Sequence, residues 1–572
     1  MKSAWALLCL VATPGWAQVI PPEKGSQPDW DSGTPVESAF NRCRNCHDRD
    51  STFEPTLYMP FDGWVSSMMG NSERDPLFRA AVTVANQDQK DIGQWCLRCH
   101  SPQAYLSGRT LPADAGAFAP IDFEGVTCDI CHRSIVPATE PGAPYVGNAQ
   151  VYLDTTVKKY GPYPDFLNSG HEGALSPFTG SSELCGQCHS VHNPIGAWRT
   201  LDGGTLGARF PLDTTYEEWK QSAFAGLPLD AGFMSCADCH LPRFRGPDGG
   251  SLYKTAKLGD FHANPRQHAL AGGNVWGLDA VQVANPAIAA EFSEQFAVTK
   301  NFALANLHSA ATLSLTVPSG GIVGSSVPVT VRVTNRTGHK LPTGYAEGRR
   351  VVVQVAVDSE IITGAFDAGA LLSDNQLRVY EVLHGRAGVG IEEHLALHDA
   401  IVKDSRIPPT ALSATAETRP VGVTWFDLGD GGLRDYDETT FIVPLKSTLA
   451  DRAKVKVTAR LFFQSTTPEY IGFLVAENHT DNAGSQLQQI YNATGKGAPV
   501  EMAKAEGEIT VSRADTVDAG IDGGTGGGAG GGSGGSGGGG MKGGCGCETG
   551  PGLGAVGTLL LAAIRRSRLR RH

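Results

Sequence analysis

The stretch C-R-N-C-H at residues 43–47 decides the fold of this chain, because the same spacing returns four more times. The other copies are C-L-R-C-H at 96–100, C-D-I-C-H at 128–132, C-G-Q-C-H at 185–189 and C-A-D-C-H at 236–240. Each copy places two cysteines three positions apart and a histidine directly after the second. A fold over residues 43–240 must accommodate five such sites.

This pattern is the attachment site of c-type haem. Two thiols at this spacing reach the two vinyl groups of one porphyrin, and the adjacent imidazole reaches the iron from one face. We therefore expect five covalently bound haems c, with iron as the metal. The ten expected attachment residues are Cys43, Cys46, Cys96, Cys99, Cys128, Cys131, Cys185, Cys188, Cys236 and Cys239. The expected proximal iron ligands are His47, His100, His132, His189 and His240.

Three other interpretations of these cysteines compete with haem. An exported protein can form disulfides, paired C-x-x-C motifs can hold zinc, and a single C-x-x-C can be a thioredoxin-like redox site. None of them needs a histidine directly after the second cysteine in all five copies. Haem also explains why residues 40–300 show only short helical patterns, around 77–84, 215–223 and 286–307, since porphyrins supply apolar core.

Composition limits the class of the protein. The chain has 572 residues and a net charge of −12, and no basic patch precedes its C-terminal tail. This charge balance argues against nucleic acid as a partner. Residues 1–17 combine Lys2, a short apolar run and small residues at 15 and 17, which is typical of a secretory signal peptide. We expect export, with cleavage after Ala17.

The second axial ligand decides what a haem can do. Two strong ligands give an electron-transfer haem, whereas an open position can bind a substrate. Three segments share the spacing aromatic-x-x-Ser-x-X and so form an internal repeat. They are W-V-S-S-M-M at 64–69, F-L-N-S-G-H at 166–171 and W-K-Q-S-A-F at 219–224.

At these segments the chain resembles the cytochrome c-552/c-554-like multihaem family, in which a W-x-x-S-x-H segment supplies a distal histidine. The resemblance covers residues 40–300 and implies that His171 is a ligand. It also implies that Met69 replaces the histidine with a thioether, which would raise the reduction potential. Met68 is the slipped alternative, and packing is the alternative role for both methionines. Phe224 removes the ligand, so its haem takes one from elsewhere or is five-coordinate.

Three further histidines are candidate distal ligands. His192 follows the fourth motif by three residues, so in a helical turn it would point along a neighbouring face and reach an adjacent iron. His268 precedes a glycine pair that permits close approach of a flat cofactor. His339 lies in the loop 337–350, whose G-H-x-x-P-T-G pattern resembles β-domains appended to such multihaem proteins. This resemblance implies that His339 ligates a haem, and a structural turn histidine is the alternative. Surface or packing roles are expected for His384, His394, His398 and His479.

From residue 310 the pattern changes to period-two alternation with β-branched residues. The expected strands are 312–317, 327–335, 350–357, 377–383, 439–445 and 455–463. We expect an all-β, immunoglobulin-like sandwich that follows the short-helical multihaem domain. The predicted fold class is therefore α+β multidomain.

The end of the chain combines a Gly/Ser-rich spacer with a short apolar run and an Arg-rich terminus. Cys545 and Cys547 precede that apolar run. This arrangement resembles the MYXO-CTERM sorting tail, which implies temporary membrane retention, processing near the cysteines and display at the cell surface. A plain C-terminal anchor is the alternative.

The expected organisation is a signal peptide (1–17), a pentahaem cytochrome c domain (36–305), a β-sandwich (306–515), a linker (516–544) and a sorting or anchor tail (545–572). The predicted function is electron transfer to a redox partner protein of the cell envelope, by a chain tethered to the membrane or cell surface. A haem enzyme acting on a small nitrogen or sulfur oxyanion is one alternative. A surface binding protein with accessory haems is another.

Overall fold

The computed structural model describes residues 24–27, 35–49, 57–137, 145–156, 158–163, 170–226, 233–246 and 251–513. The predicted signal peptide, linker and C-terminal tail therefore lie outside the described residues. The described residues group into one compact unit. Within the described residues, no helix has the length and apolarity needed to cross a bilayer.

The first half of the chain consists mainly of short helices and two- or three-residue strands. The helices are Arg44–His47 (entered through a π-helical turn, Ala39–Cys43), Pro60–Val65, Pro76–Asp88, Gly93–His100, Pro102–Leu106, Cys128–His132, Ser182–Gly186, Thr215–Lys220, Ala223–Gly226, Cys236–His240, Val275–Ala284, Pro286–Glu291 and Ser293–Ser309. The 3₁₀ turns are Pro120–Glu124 and Phe178–Gly180. The strand pairs are Lys159–Gly161 with Gly173–Leu175, Val191–His192 with Pro211–Asp213, Trp198–Arg199 with Thr205–Gly207, and Leu252–Lys254 with Phe261–Ala263.

The second half is rich in strands. They are Ala311–Thr316, Gly320–Ile322, Ser326–Asn335, Arg350–Val357, Glu360–Thr363, Phe366–Asp367, Ala370–Leu371, Arg378–Tyr380, Val382–Arg386, Gly390–Ile391, Ala400–Asp404, Tyr436–Pro444, Lys454–Gln464 and Val500–Ser512. Two helices, Pro468–Ala476 and Ala483–Ala493, and two 3₁₀ turns, Leu395–Leu397 and Ser447–Leu449, complete it. The helices correct the expectation that this half is all β.

The largest sheet has Lys454–Gln464 at its centre, paired antiparallel with Arg350–Val357 on one side and Val500–Ser512 on the other. A three-stranded sheet places Ser326–Asn335 between Ala311–Thr316 and Tyr436–Pro444. The side chains of Ser326–Asn335 alternate between buried and more exposed, as expected when one face of a sheet meets the core.

One apolar core is shared by both halves of the chain. It joins Phe61 and Phe296 of the first half to Val351, Val355 and Leu461 of the sheets, all of them buried. The helix Ser293–Ser309 crosses the predicted domain boundary at 305 and packs against both the helix Pro60–Val65 and the strand Val500–Ser512. Burial of so much continuous apolar surface favours cooperative folding of the two halves.

Candidate haem-ligand site

The five motifs lie on short helical turns. The first, second, third and fifth motifs lie in helices that end at the motif histidine: Arg44–His47, Gly93–His100, Cys128–His132 and Cys236–His240. The fourth motif begins in the helix Ser182–Gly186 and continues beyond it. A helical turn places residues three apart on one side, so both cysteines of a motif face the same way. None of the ten motif cysteines is in a disulfide within the described chain. The disulfide interpretation therefore finds no pairing here.

Three motif histidines each face a histidine from outside the motifs. His47 faces His171, with ring centroids 6.3 Å apart and ring planes 21° from parallel. His132 faces His268 at 6.2 Å and 27°. The fifth-motif histidine, His240, faces a residue of the second half, with centroids 6.4 Å apart and planes at 25°.

That last partner is His339, from the loop between two strands of the second half. The structure thus places three of the five predicted distal ligands, His171, His268 and His339, opposite motif histidines. The loop containing His339 folds back onto the first half, as the resemblance to β-domains of multihaem proteins implies. A turn histidine with a purely local role would not need this position.

Hydrogen bonds fix the orientation of these rings. The Nδ1 atoms of His47, His132 and His240 lie 2.7 Å from the carbonyl oxygens of Thr255, Tyr160 and Ala271, respectively. The Nδ1 atoms of the three facing histidines also lie 3.0–3.3 Å from backbone carbonyl oxygens. A carbonyl only accepts, so Nδ1 carries the proton and Nε2 keeps its lone pair. Metal-bound histidines show the same arrangement.

The spacing of the facing rings matches an octahedral metal between them. Parallel rings in direct contact would be about 3.5–4 Å apart, the contact distance of aromatic carbon atoms. Two metal–imidazole bonds of about 2.0 Å, with about 1.1 Å from each nitrogen to its ring centroid, require about 6.2 Å. The paired rings and the adjacent thiols therefore fit a haem iron with two histidine ligands.

Burial favours the neutral, ligand form of these histidines. Desolvation lowers the pKa of His268 to about 3 and that of His240 to about 4, although carbonyl hydrogen bonds oppose the shift. Burial likewise lowers the pKa values of His47, His132 and His339. A neutral imidazole presents a lone pair without first losing a proton, so these side chains are ready for a metal near neutral pH.

The tryptophans of two copies of the sequence repeat hydrogen-bond to the backbone just before two of the motifs. Trp64 Nε1 donates to the carbonyl oxygen of Val126 at 2.7 Å, two residues before the third motif. Trp219 Nε1 donates to the carbonyl oxygen of Met234 at 2.9 Å, two residues before the fifth motif. In both copies the serine three positions later donates to the carbonyl oxygen of its own tryptophan at 2.8 Å. The repeat therefore positions the backbone that leads into a motif.

Both of these copies of the repeat also pack against the segment that contains the facing histidine. A Cβ on Gly63 would lie 2.6 Å from the carbonyl carbon of His268, so only glycine permits this approach. A Cβ on Gly338 would lie 3.1 Å from Trp219 and 3.3 Å from Phe224. Phe224, which lacks a ligand atom, thus packs beside the loop that brings His339. The histidine that faces the fifth motif beside this copy of the repeat therefore lies in the second half of the chain.

The second and fourth motifs differ from the others, because no histidine ring of the described chain lies opposite His100 or His189. The ring of Phe78 lies parallel to His100 at 3.7 Å, and His100 Nδ1 is 3.2 Å from the carbonyl oxygen of Ser72. His189 Nδ1 instead lies 3.9 Å from the carboxylate of Asp213. Burial alone would lower the pKa of His189, but Asp213 raises it above its ordinary value.

The two remaining predicted distal ligands have other surroundings. Met69 packs in a small apolar cluster with the thiols of Cys99, Cys131 and Cys188, and its ligand role stays a prediction. Met68 packs against the large core. His192 lies on the strand Val191–His192, and its Nε2 is 3.3 Å from Glu417 Oε1. The structure therefore does not bring His192 against a motif histidine.

A buried charge network holds the loop that contains His339. Lys340 Nζ donates to Asp404 Oδ2 at 2.6 Å, and its backbone N–H donates to Glu218 Oε2 at 3.0 Å. Arg406 bridges Asp404 at 2.7 Å and Glu218 at 3.0 Å. The spacing of these residues along the sequence gives no signal of this network, which only the folded chain assembles.

Thiols of different motifs lie close enough for one to shift the pKa of the other. The interacting thiols are Cys43 with Cys128, Cys99 with Cys188, and Cys185 with Cys236. The first motif is thus next to the third, and the fourth is next to both the second and the fifth. The fourth motif occupies a branch point among the five.

No protein-family model and no curated protein match this sequence. Among solved structures, a penta-heme cytochrome c552 from Thermochromatium tepidum is similar, with 17% sequence identity and a TM-score of 0.47. The match covers 83% of this chain and 100% of that chain.

Proposed function

We propose that this chain is an exported c-type cytochrome that binds five haems and passes single electrons between them and on to a redox partner. The observation that supports this most is the opposition of histidines across three motifs, at 6.2–6.4 Å with nearly parallel rings. Two strong axial ligands leave no open position for substrate, which favours electron transfer over catalysis at those three sites.

When bound, haem supplies one-electron exchange between ferric and ferrous iron. The chain contributes attachment, orientation and a dry environment. The cysteines of each motif anchor the group, and the carbonyl partners of Nδ1 hold each ring in one orientation with its proton on the far side from the metal. Rings fixed in this way change their orientation little when the charge at the metal changes.

The proposed electron route follows the proximity of the motif thiols. It runs from the first motif to the third, and the fourth motif connects to the second and the fifth. Cys131 also lies close enough to Cys188 to influence its neighbour electrostatically, which joins the third motif to the fourth. All five sites then belong to one connected chain of carriers.

The location is proposed from the sequence. A signal peptide at 1–17 would export the chain, and the tail at 545–572 would tether it to the membrane or cell surface. The net charge of −12 suits a protein partner with a basic docking surface rather than nucleic acid.

The test is to produce the mature chain with the haem-attachment machinery and to measure its haems. We expect five haems per chain by pyridine haemochrome and mass, and low-spin electron paramagnetic resonance signals typical of two histidine ligands. His268→Ala should convert one such signal to high spin. His262→Ala is the matched control, because His262 stacks on Tyr163 instead of facing a motif histidine. Equal spectra for the two variants would contradict the proposal.

A second candidate function is catalysis at the fourth motif. The observation that favours it is Asp213, whose carboxylate approaches His189 Nδ1 at 3.9 Å where the other motif histidines meet a carbonyl. A carboxylate partner makes a histidine a stronger electron donor to its metal. A high-spin signal in the wild-type protein that Asp213→Asn alters would support this function for a small nitrogen or sulfur oxyanion. Only low-spin signals would exclude it.

A further inference from the structure

Three buried side chains outside the motifs converge in the second half of the chain. Glu347 lies in the same loop as His339, His384 lies on the strand Val382–Arg386, and His398 follows the turn Leu395–Leu397. Their exposed fractions are 9%, 7% and 0%. One donor atom from each lies within 4.8 Å of the other two.

His398 has a buried ring nitrogen without a hydrogen-bond partner among the described residues. Its Nε2 is 2.7 Å from the carbonyl oxygen of Glu392, so Nε2 carries the proton and donates. Its Nδ1 is buried and has no hydrogen-bond partner among the described residues. That nitrogen lies 3.4 Å from Glu347 Oε1. A lone pair and a carboxylate oxygen, both acceptors, therefore face each other in a place that excludes water, which is costly unless a cation lies between them.

His384 completes the set. Its Nδ1 lies 3.0 Å from the same Glu347 oxygen, and its ring is 5.4 Å from that of His398. The ring of Phe210 packs edge-on against both imidazoles, at 5.0 and 6.2 Å, and forms an apolar wall. Two imidazole nitrogens and one carboxylate oxygen around a common point are the donor set of many transition-metal sites.

We propose that Glu347, His384 and His398 bind a divalent transition-metal cation of the zinc class. Ligand atoms in a tetrahedral site with metal–ligand bonds of about 2.0–2.1 Å are about 3.3 Å apart. The two separations from Glu347 Oε1, 3.0 and 3.4 Å, bracket that value. The cation replaces the proton between His384 and Glu347, and the carbonyl of Glu392 orients His398 from behind.

The neighbouring charges are compatible with a cation. The positive charge of Arg406 is close enough to act electrostatically on His384. Arg406 itself forms ion pairs with Asp404 and Glu218, which neutralise its charge. Glu347 also acts electrostatically on the Arg349 guanidinium, whose Nη1 donates to the carbonyl oxygen of Thr343 at 2.7 Å.

The site has a structural role that follows from its position. Glu347 lies near the end of the loop 337–350, and His339 lies near its beginning. A metal shared with His384 and His398 attaches that loop to the hairpin strands of 382–404. It would thereby stiffen the segment that presents His339 to the first half of the chain.

The experiment uses the full-length, haem-loaded protein and Zn²⁺ as the probe. We expect one zinc per chain in addition to haem iron, measured by plasma mass spectrometry after dialysis against a weak chelator. Zinc-edge X-ray absorption should show only nitrogen and oxygen neighbours, with the multiple-scattering pattern of imidazole. Chelator-stripped protein should rebind one Zn²⁺ in equilibrium dialysis.

His398→Ala and Glu347→Gln should each weaken zinc binding more than about 100-fold, because removal of a metal ligand costs at least as much as removal of the group behind it. His479→Ala is the control, since His479 is exposed. Absence of zinc from the wild-type protein, sulfur neighbours in its absorption spectrum, or unchanged binding in His398→Ala would overturn the proposal. The absorption result on wild-type protein stands even if a variant fails to fold. It is also independent of whether the haem proposal holds.

Discussion

Replacing Lys340 with methionine tests the coupling between the two halves of the chain. The Lys340 side chain is fully buried, and its ammonium donates to Asp404 Oδ2 at 2.6 Å. Asp404 is equally buried. Methionine keeps most of the apolar length of lysine, so the substitution removes a charge and a hydrogen bond without leaving a large cavity.

The magnitude follows from what remains on Asp404. Removing one partner of a buried ion pair destabilises a protein by about 3–5 kcal/mol, because the other charge stays buried. Arg406 still donates to both oxygens of Asp404, at 2.9 and 2.7 Å, so the carboxylate is not left alone. We therefore expect Lys340→Met to lower the free energy of unfolding by about 3 kcal/mol, the low end of that range.

The assay is chemical denaturation followed by far-ultraviolet circular dichroism, with Lys454→Met as the matched control. Lys454 pairs with Glu508 at 2.9 Å on the surface, where both side chains are about 60% exposed. Such a pair contributes less than about 1 kcal/mol. The same samples should show a changed low-spin signal for Lys340→Met only, because Lys340 adjoins His339. The reasoning is refuted if the two variants differ by less than about 1 kcal/mol.

Three further outcomes follow from the structure. Trp64→Phe leaves the carbonyl oxygen of Val126 without its indole donor, and denaturation should show a loss of about 1–3 kcal/mol. Burial alone would raise the pKa of Asp404, but Arg406 and Lys340 hold it below its ordinary value. The stability that ionised Asp404 contributes is therefore fully present above about pH 4 and is lost as the pH falls through its lower pKa in the folded state. Asp404→Asn should therefore flatten the dependence of unfolding free energy on pH in acid titrations. Replacing both Cys236 and Cys239 with serine should reduce the covalent haem count by mass from five to four, while a count of five would contradict the attachment assignment.

The sequence was most informative where the relevant geometry is local. Two cysteines and a histidine within five residues define one side of a helical turn, and the structure forms such turns at the motifs. The run of β-branched residues likewise predicted the strand Arg350–Val357 with its observed bounds, although all eight of its residues are buried instead of alternating. The helix Pro468–Ala476 was missed because its apolar residues show no clear face, and Val500–Ser512 was missed because alanine and glutamate dilute its alternation.

Distal partners were harder to predict because they depend on contacts that are distant along the chain. His171, His268 and His339 each lie opposite a motif histidine that precedes them by many residues, so only the repeat and the glycine-rich context pointed to them. His192 was placed by assuming a helical turn after the fourth motif. The chain is a strand there, which sends the imidazole toward Glu417.

The loop 337–350 connects the β-rich half to the segment that we propose binds the haems. The beginning of the loop presents His339 to His240 and places Lys340 between Glu218 and Asp404, and Glu347 near the end of the loop meets two buried histidines. The residues that the loop contacts belong to different elements of the protein. A movement of one end of the loop would therefore break contacts at the other end. The sheets thus do more than add a separate module, because they hold His339, the side chain that we propose as the second ligand at the fifth motif. A substitution in the sheets should for this reason be detected spectroscopically at the fifth motif.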